Sequence, residues 1–228
     1  MFFVLWCANA FLSIYNQFFV FQIKMLLILT LTALLAGISG QSDDDANAYV
    51  DKVIKDELPA ELKYLDPLTL RPFKFHLRQH PFGWVSFCAT HVTGLGSVQR
   101  SGDCGSYGRS LPRRAFVGCN ITVGDVEVRL CSSLKYGRNL TEVHANATFS
   151  EVRGRLYFSV GAWKAPSARA YPELGSATTV FSGLEDTPET HHLRLGYQAV
   201  ARDLLAVAVE RHLSEALTRA AHRVLFPL

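Results

Sequence analysis

The chain has 228 residues, of which 49% are hydrophobic, 11% aromatic and 19% charged. That composition excludes a disordered or low-complexity protein and leaves length for one medium domain or two small ones. A net charge of +3, from 23 Lys and Arg against 20 Asp and Glu, excludes a dedicated nucleic-acid binder.

From Met1 to Gly40 the only charged residue is Lys24. Residues 1–40 therefore read as a leader rather than part of the fold. The stretch 25–40 has the parts of a secretory signal: a basic residue upstream, an apolar run from Leu26 to Ala36, then the small residues Gly37, Ser39 and Gly40. Residues 1–24 read as an upstream extension if translation starts at Met25. Their rival reading is a membrane anchor over 2–23, interrupted by Asn9, Ser13, Asn16, Gln17 and Gln22. Without the leader the chain loses one Lys and no acid, so the charge falls from +3 to +2.

The remainder, residues 41–228, reads as one domain. Asp43, Asp44 and Asp45 favour a helix amino end. Ala46, Tyr49, Val50, Val53 and Ile54 then recur at helical spacing to about Glu57. From about Phe82 to Leu184 the apolar period is two. Val117, Ile121 and Val123 alternate with polar neighbours, Gly124-Asp125 reads as a tight turn, and Val126, Val128 and Leu130 resume the apolar face. Val143, Ala145, Ala147 and Phe149 alternate likewise, as do Leu156, Phe158 and Val160. From about Leu193 to Phe226 the period returns to 3.6, with a stripe through Val200, Leu204, Val207, Ala208, Leu213, Leu217, Ala220 and Val224. The fold class expected is α+β. A strongly curved antiparallel meander wraps a long carboxy-terminal helix, with a short amino-terminal helix beside it.

Loss of the leader removes Cys7 and leaves Cys88, Cys104, Cys119 and Cys131, an even number that predicts two disulfides in an oxidising compartment. Of three pairings, Cys104–Cys119 and Cys88–Cys131 are preferred, because the first spans a hairpin containing Gly105, Gly108 and Pro112. Strand parity also disfavours Cys119–Cys131. Asn120, Asn139 and Asn146 each begin an N-x-[ST] sequon, and Asn120 and Asn146 fall on the polar face of their strands. Signal, cysteines and sequons agree on a secreted, extracellular glycoprotein.

Catalytic patterns are absent from the sequence. There is no G-x-S-x-G elbow, phosphate-binding loop, H-E-x-x-H helix or dinucleotide turn, so no enzyme and no cofactor is expected. His76 and His80, four apart, lack a helix to make them a metal pair, and Cys88 near His91 is better used in a disulfide.

One stretch carries a family likeness. Val92-Thr93-Gly94-Leu95-Gly96-Ser97-Val98-Gln99-Arg100-Ser101-Gly102-Asp103 resembles the V-x-G-L-x-x-[apolar]-x-R-x-G-D segment of mite group 7 allergens. Leu65-Asp66-Pro67-Leu68 is similar to that family's helix-to-strand linker. The family belongs to the tubular lipid-binding superfamily, with insect juvenile-hormone-binding and bactericidal/permeability-increasing proteins. The resemblance implies a curved sheet rolled around the terminal helix, with an apolar groove between them for a lipid or another hydrophobic small molecule. Four cysteines and the clustered sequons depart from the mite pattern.

The residues expected to line such a groove are Val143, Ala145, Ala147, Phe149, Phe158, Val200, Leu204, Val207 and Leu217. Small residues among them leave room for a ligand, or let sheet and helix pack closely and dry. Arg109, Arg113 and Arg114 form a basic cluster suited to an anionic lipid head group. The competing reading is a secreted surface-recognition protein, acting in innate immunity or protein interaction without a bound small ligand. The ligand and the oligomeric state are left open by the sequence.

Overall fold

The structure, a computed structural model, describes residues 43–77, 83–110, 114–161 and 164–227. The leader expected over 1–40 lies outside the described residues. The molecule divides into two units, Met1–Asp44 and Asp45–Leu228. The account below concerns the second.

Within this unit helix α1 covers residues 45–65 and runs past the expected end at Glu57. Its α-helical turns pass into a π segment at Val53–Glu57, a 3-10 segment at Leu58–Glu61 and a last α turn at Leu62–Leu65. Pro59 does not stop it because the proline stands in the first turn of the 3-10 segment, where a missing N–H costs nothing.

The sheet is antiparallel, open and ten-stranded. Its spine is a single long hairpin of β7 (Arg114–Tyr136) and β8 (Asn139–Gly161), 23 residues each, turned at Gly137-Arg138. Shorter strands tile its two flanks. Along β7 lie β3 (Trp84–Phe87), β4 (Thr90–Thr93), β5 (Gln99–Arg100) and β6 (Gly105–Ser110). β1 (Leu68–Leu70) pairs with β4, and β2 (Phe73–His76) pairs with β3. Along β8 lie β9 (Ser167–Leu174) and β10 (Thr178–Ser182).

The tight turn expected at Gly124-Asp125 is instead a kink inside β7. Val117 to Val123 are buried at odd positions and Val126 to Leu134 at even ones, so the strand changes face at Asp125, whose φ is +45°. The partner strand changes face opposite, between Phe149 and Val152, and the register is kept: Gly124 pairs with Glu151 and Val126 with Phe149. A turn and a face change produce the same parity break in one strand. Only the matching break in the partner tells them apart.

Helix α2 covers the inner face. It is α-helical over His191–Val207, π over Ala208–Leu213 and α again over Ser214–Ala221, ending five residues before Phe226. Every fourth residue from Leu193 to Ala221 is buried. At 3.6 residues per turn, a step of four overshoots by about 40°. The wider π turn absorbs part of that drift and the rest winds the stripe around the helix along the curved sheet. The stripe expected from the sequence is therefore correct at Ala208, Leu213, Leu217 and Ala220 and one residue out before the π segment. Ala201 and Leu205 are fully buried there, where Val200 and Leu204 were expected to be.

Candidate functional site

The interior between sheet and α2 is the expected ligand site. The structure brings Val143, Ala145, Ala147, Phe149, Phe158 and Leu217 together in it, all fully buried. Val200 and Leu204 are half-buried and pack against that core from its margin. Val207 is a correction: it is 46% exposed, because the one-residue slip of the stripe turns it to solvent and places Ala208 inside.

Two ends of this interior differ. At the end near the hairpin turn, Phe87 stacks on Phe73 at 4.7 Å and meets Tyr197 at 5.5 Å. The Tyr197 hydroxyl lies 2.5 Å from Ser132 Oγ. Burial pushes the Tyr197 phenol upward and the Ser132 hydrogen bond partly offsets this. Phe181 on β10 sits edge-on to Tyr197 at 6.0 Å, and Arg194 lies 4.6 Å over its other side. At the opposite end Tyr49 lies between Phe158 at 5.3 Å and Phe226 at 5.0 Å. Tyr49 is 4% exposed, its hydroxyl has no partner among the described residues, and burial drives its phenol far above the usual range.

Thr90 on β4 and Thr179 on β10 present two more hydroxyls with no partner among the described residues, and Thr179 is the one beside the α2 margin. Thr179 stands directly across from Ala147, so both side chains point to the inner face. Around it the apolar cover is incomplete. Leu174, Ala177, Val200 and Leu204 are half-buried, and Leu195 is 51% exposed. This seam lies on the β9–β10 flank, where β9 and β10 separate at Gly175-Ser176-Ala177.

Sequence reasoning missed what closes β9. Its free edge points Ala168 N–H to Thr218 Oγ1 at 2.9 Å and Ala170 N–H to Ser214 Oγ at 2.8 Å. Two hydroxyls four apart on α2 thus stand in for a neighbouring strand. The next residue in that series is Pro172, which has no N–H to satisfy, and Arg202 donates to the Leu174 carbonyl at 3.2 Å. Opposite Pro172, Gly154 allows the strands to approach, since a Cβ there would stand 2.6 Å from the Tyr171 oxygen. The readable signal was Ser214 and Thr218 at i,i+4 on an otherwise apolar helix face.

The segment Val92–Asp103 holds the β7 flank together. The Asp66 carboxylate accepts from Gly94 N–H and Gly96 N–H, each at 3.0 Å. The Ser97 hydroxyl lies 2.7 Å from the carbonyls of Gly94 and Gly124 and accepts from Gly124 N–H at 3.0 Å, which pins the kink in β7. Gly94 has φ +93°, and a Cβ on it would fall 2.5 Å from the Asp125 carbonyl oxygen, so no other residue fits. Arg100 grips the Asp51 carboxylate of α1 with two bonds of 2.9 and 3.0 Å, which holds that carboxyl below its usual range. The two stretches that carry the family likeness therefore meet as a single polar clasp around the kink.

Disulfides join Cys88 to Cys131 and Cys104 to Cys119. Asn120, Asn139 and Asn146 are all exposed. Arg113 and the side chains of Arg109 and Arg114 lie outside the described residues, as does His80; His76 is exposed on β2. Among the described residues no group of three or more His, Cys, Asp or Glu is placed to hold a metal, and no helix is long and apolar enough to cross a membrane.

Neither a family model nor a curated protein matches the chain. Among solved structures it is similar to the crystal structure of Epiphyas postvittana Takeout 1. The identity is 11%, over 69% of this chain and 76% of that one, and the TM-score is 0.25.

Proposed function

We propose that this chain is a secreted carrier or sensor that holds an amphipathic, lipid-like molecule between the sheet and α2, entering at the β9–β10 seam. The carrying observation is the orphan Thr179 hydroxyl set among half-covered apolar side chains. A buried hydroxyl without a partner costs about 1–3 kcal/mol, and half-exposed apolar area adds to the penalty. A molecule with an apolar body and one polar acceptor relieves both. Dispersion and hydrophobic contact hold the body, and the hydroxyl orients the polar end. The family likeness of Val92–Asp103 supports the same reading, and the two disulfides and the leader support export.

Displacement of a dansyl-labelled fatty acid tests it. The wild-type protein is expected to bind the probe and Ala147→Phe, which fills the inner face, to lose at least about tenfold in affinity. Thr179→Val, nearly isosteric, is expected to lose about fivefold, the ~1 kcal/mol of one hydrogen bond, with its melting temperature kept. A well-folded wild-type protein that binds no fatty acid, or that binds equally well in both variants, would overturn the reading.

A further inference from the structure

The outer face of β8 and β9 carries a second, chemically different surface. Inward Leu156, Phe158, Ala168 and Ala170 alternate with outward Arg155, Tyr157, Ser159, Arg169 and Tyr171. The register sets Arg155 across from Tyr171 and Tyr157 across from Arg169, a checkerboard of cations and rings. The two tyrosine rings meet edge-on at 6.0 Å, and Ser159 Oγ and Ser167 Oγ lie 3.0 Å apart beside them. Together with Lys164 they line a cleft of about 640 Å³ that has no acidic residue among the described residues of its wall.

Two of its cations make no ion pair among the described residues, although Arg169 also borders a neighbouring cleft that holds Glu210 and Glu215. Nearby Arg155, Arg211 and Arg219 each have a carboxylate, Glu173 at 3.8 Å, Glu215 at 3.5 Å and Glu61 at 2.7 Å. Lys164 and Arg169 have no carboxylate within 4 Å among the described residues. Two free cations, two part-exposed rings and a hydroxyl pair in one concave wall form a set suited to a particular ligand. The rings match the C–H face of a pyranose, the serines its hydroxyls, and the cations an acidic substituent.

We propose that this cleft binds an acidic saccharide, one bearing sulfate or carboxylate groups, independently of the apolar interior behind it. A phospholipid head group would share the anion but leave its acyl chains against a polar, ring-studded sheet face.

The test is titration of the full chain with a sulfated heparin-derived hexasaccharide, its desulfated counterpart, and vesicles of mixed phosphatidylcholine and phosphatidylserine. Binding of the sulfated sugar is expected, weakening as salt screens the charges. Lys164→Glu with Arg169→Glu is expected to cut affinity about tenfold or more. Tyr171→Ala, at a half-exposed ring on an edge strand, is expected to cut it about fivefold. Arg71→Glu, on an exposed cation elsewhere, is expected to change nothing. Unchanged affinity in the double variant, equal loss in Arg71→Glu, equal binding of the desulfated sugar, or binding to vesicles alone would each overturn the proposal. Fatty-acid displacement in the same variants is expected to stay at the wild-type value, so failure here is distinct from failure of the lipid reading.

Discussion

The two flanks of the β7–β8 hairpin are built by different means. On the β7 flank both disulfides tie short neighbours to the spine, Cys88 before β4 to Cys131 and Cys104 before β6 to Cys119. The clasp of Asp66, Gly94, Ser97 and Gly124 and the grip of Arg100 on Asp51 lock the same side to α1. On the β8 flank no described disulfide joins β9 or β10 to the rest. The β9 edge depends on two hydroxyls and one arginine from α2, and the seam beside it is apolar and half-covered. A fold cross-linked on one side and hydrogen-bonded on the other opens locally on the second, because local opening selects the region with the fewest constraints. The seam through which an apolar molecule would pass lies on that weaker side.

Removing the disulfides is the largest blow to this contrast. Loops of 15 and 43 residues correspond to about 3 and about 4 kcal/mol of lost stability. Cys104→Ser with Cys119→Ser, and Cys88→Ser with Cys131→Ser, are expected to lower the denaturation midpoint accordingly. Hydrogen exchange at Ala168 and Ala170 under native conditions is expected to rise no more than the global loss of stability requires. A selective rise at the β9 edge would show that the flanks are not independent.

The second break targets the other side. Ser214→Ala with Thr218→Val keeps the volume of the helix face and orphans two strand N–H groups, at a cost of about 2 kcal/mol. Amide exchange at Ala168 and Ala170 is expected to accelerate well ahead of that at Val128 or Val92. The dissociation rate of a bound fatty acid is expected to increase with it. Unchanged protection at the edge would mean that something other than the hydroxyl pair closes β9.

Much of this division could be read from the residues, and what could not has definite causes. Alternation at Val143–Phe149 and Leu156–Val160 placed the inner face of β8 correctly, because a one-residue error would expose every side chain of the run. The helix stripe drifted to the core margin at Val200 and Leu204 and out to solvent at Val207, because a π turn inserts a residue that a constant period of 3.6 cannot show. The kink at Asp125 read as a turn because its partner lies far along the chain in β8, where Glu151 faces Gly124 and Phe149 faces Val126, and has to be matched to it. The orphan at Thr179, the edge closure by Ser214 and Thr218, and the Arg–Tyr checkerboard all depend on which strands are neighbours. Of these only Ser214 and Thr218, four apart on an apolar helix face, leave a local pattern, and it does not say which strand they serve. The clasp did leave one, in Gly94, Ser97 and Arg100, but its meaning appears only when Asp66 and Asp51 are brought to it.

The smallest expected effect concerns the joint between the two helices, which spans the flanks. Glu61 is 8% exposed and takes a 2.7 Å bond from Arg219 Nε and a 2.9 Å bond from Arg223 Nη1, while Arg223 also binds Glu57. The Arg219 hydrogen bond, then that of Arg223, holds the Glu61 carboxyl below its usual range despite burial. A carboxyl depressed in the folded state adds stability above its ordinary value near 4.3, and that stability is lost as pH falls through the folded value. The arginines are partly in water, so the contribution is about 1–2 kcal/mol rather than that of a fully buried pair. Glu61→Gln is expected to lower stability by about that amount at pH 7, and the gap is expected to close as pH falls through the folded value and the charge is lost. Asp51 is shifted the same way by Arg100 and will also titrate, but it is present in both proteins and cancels in the comparison. A stability gap that stays constant from neutral to acid pH would mean that Glu61 acts by packing, and that the clasp between α1 and α2 does not depend on its charge.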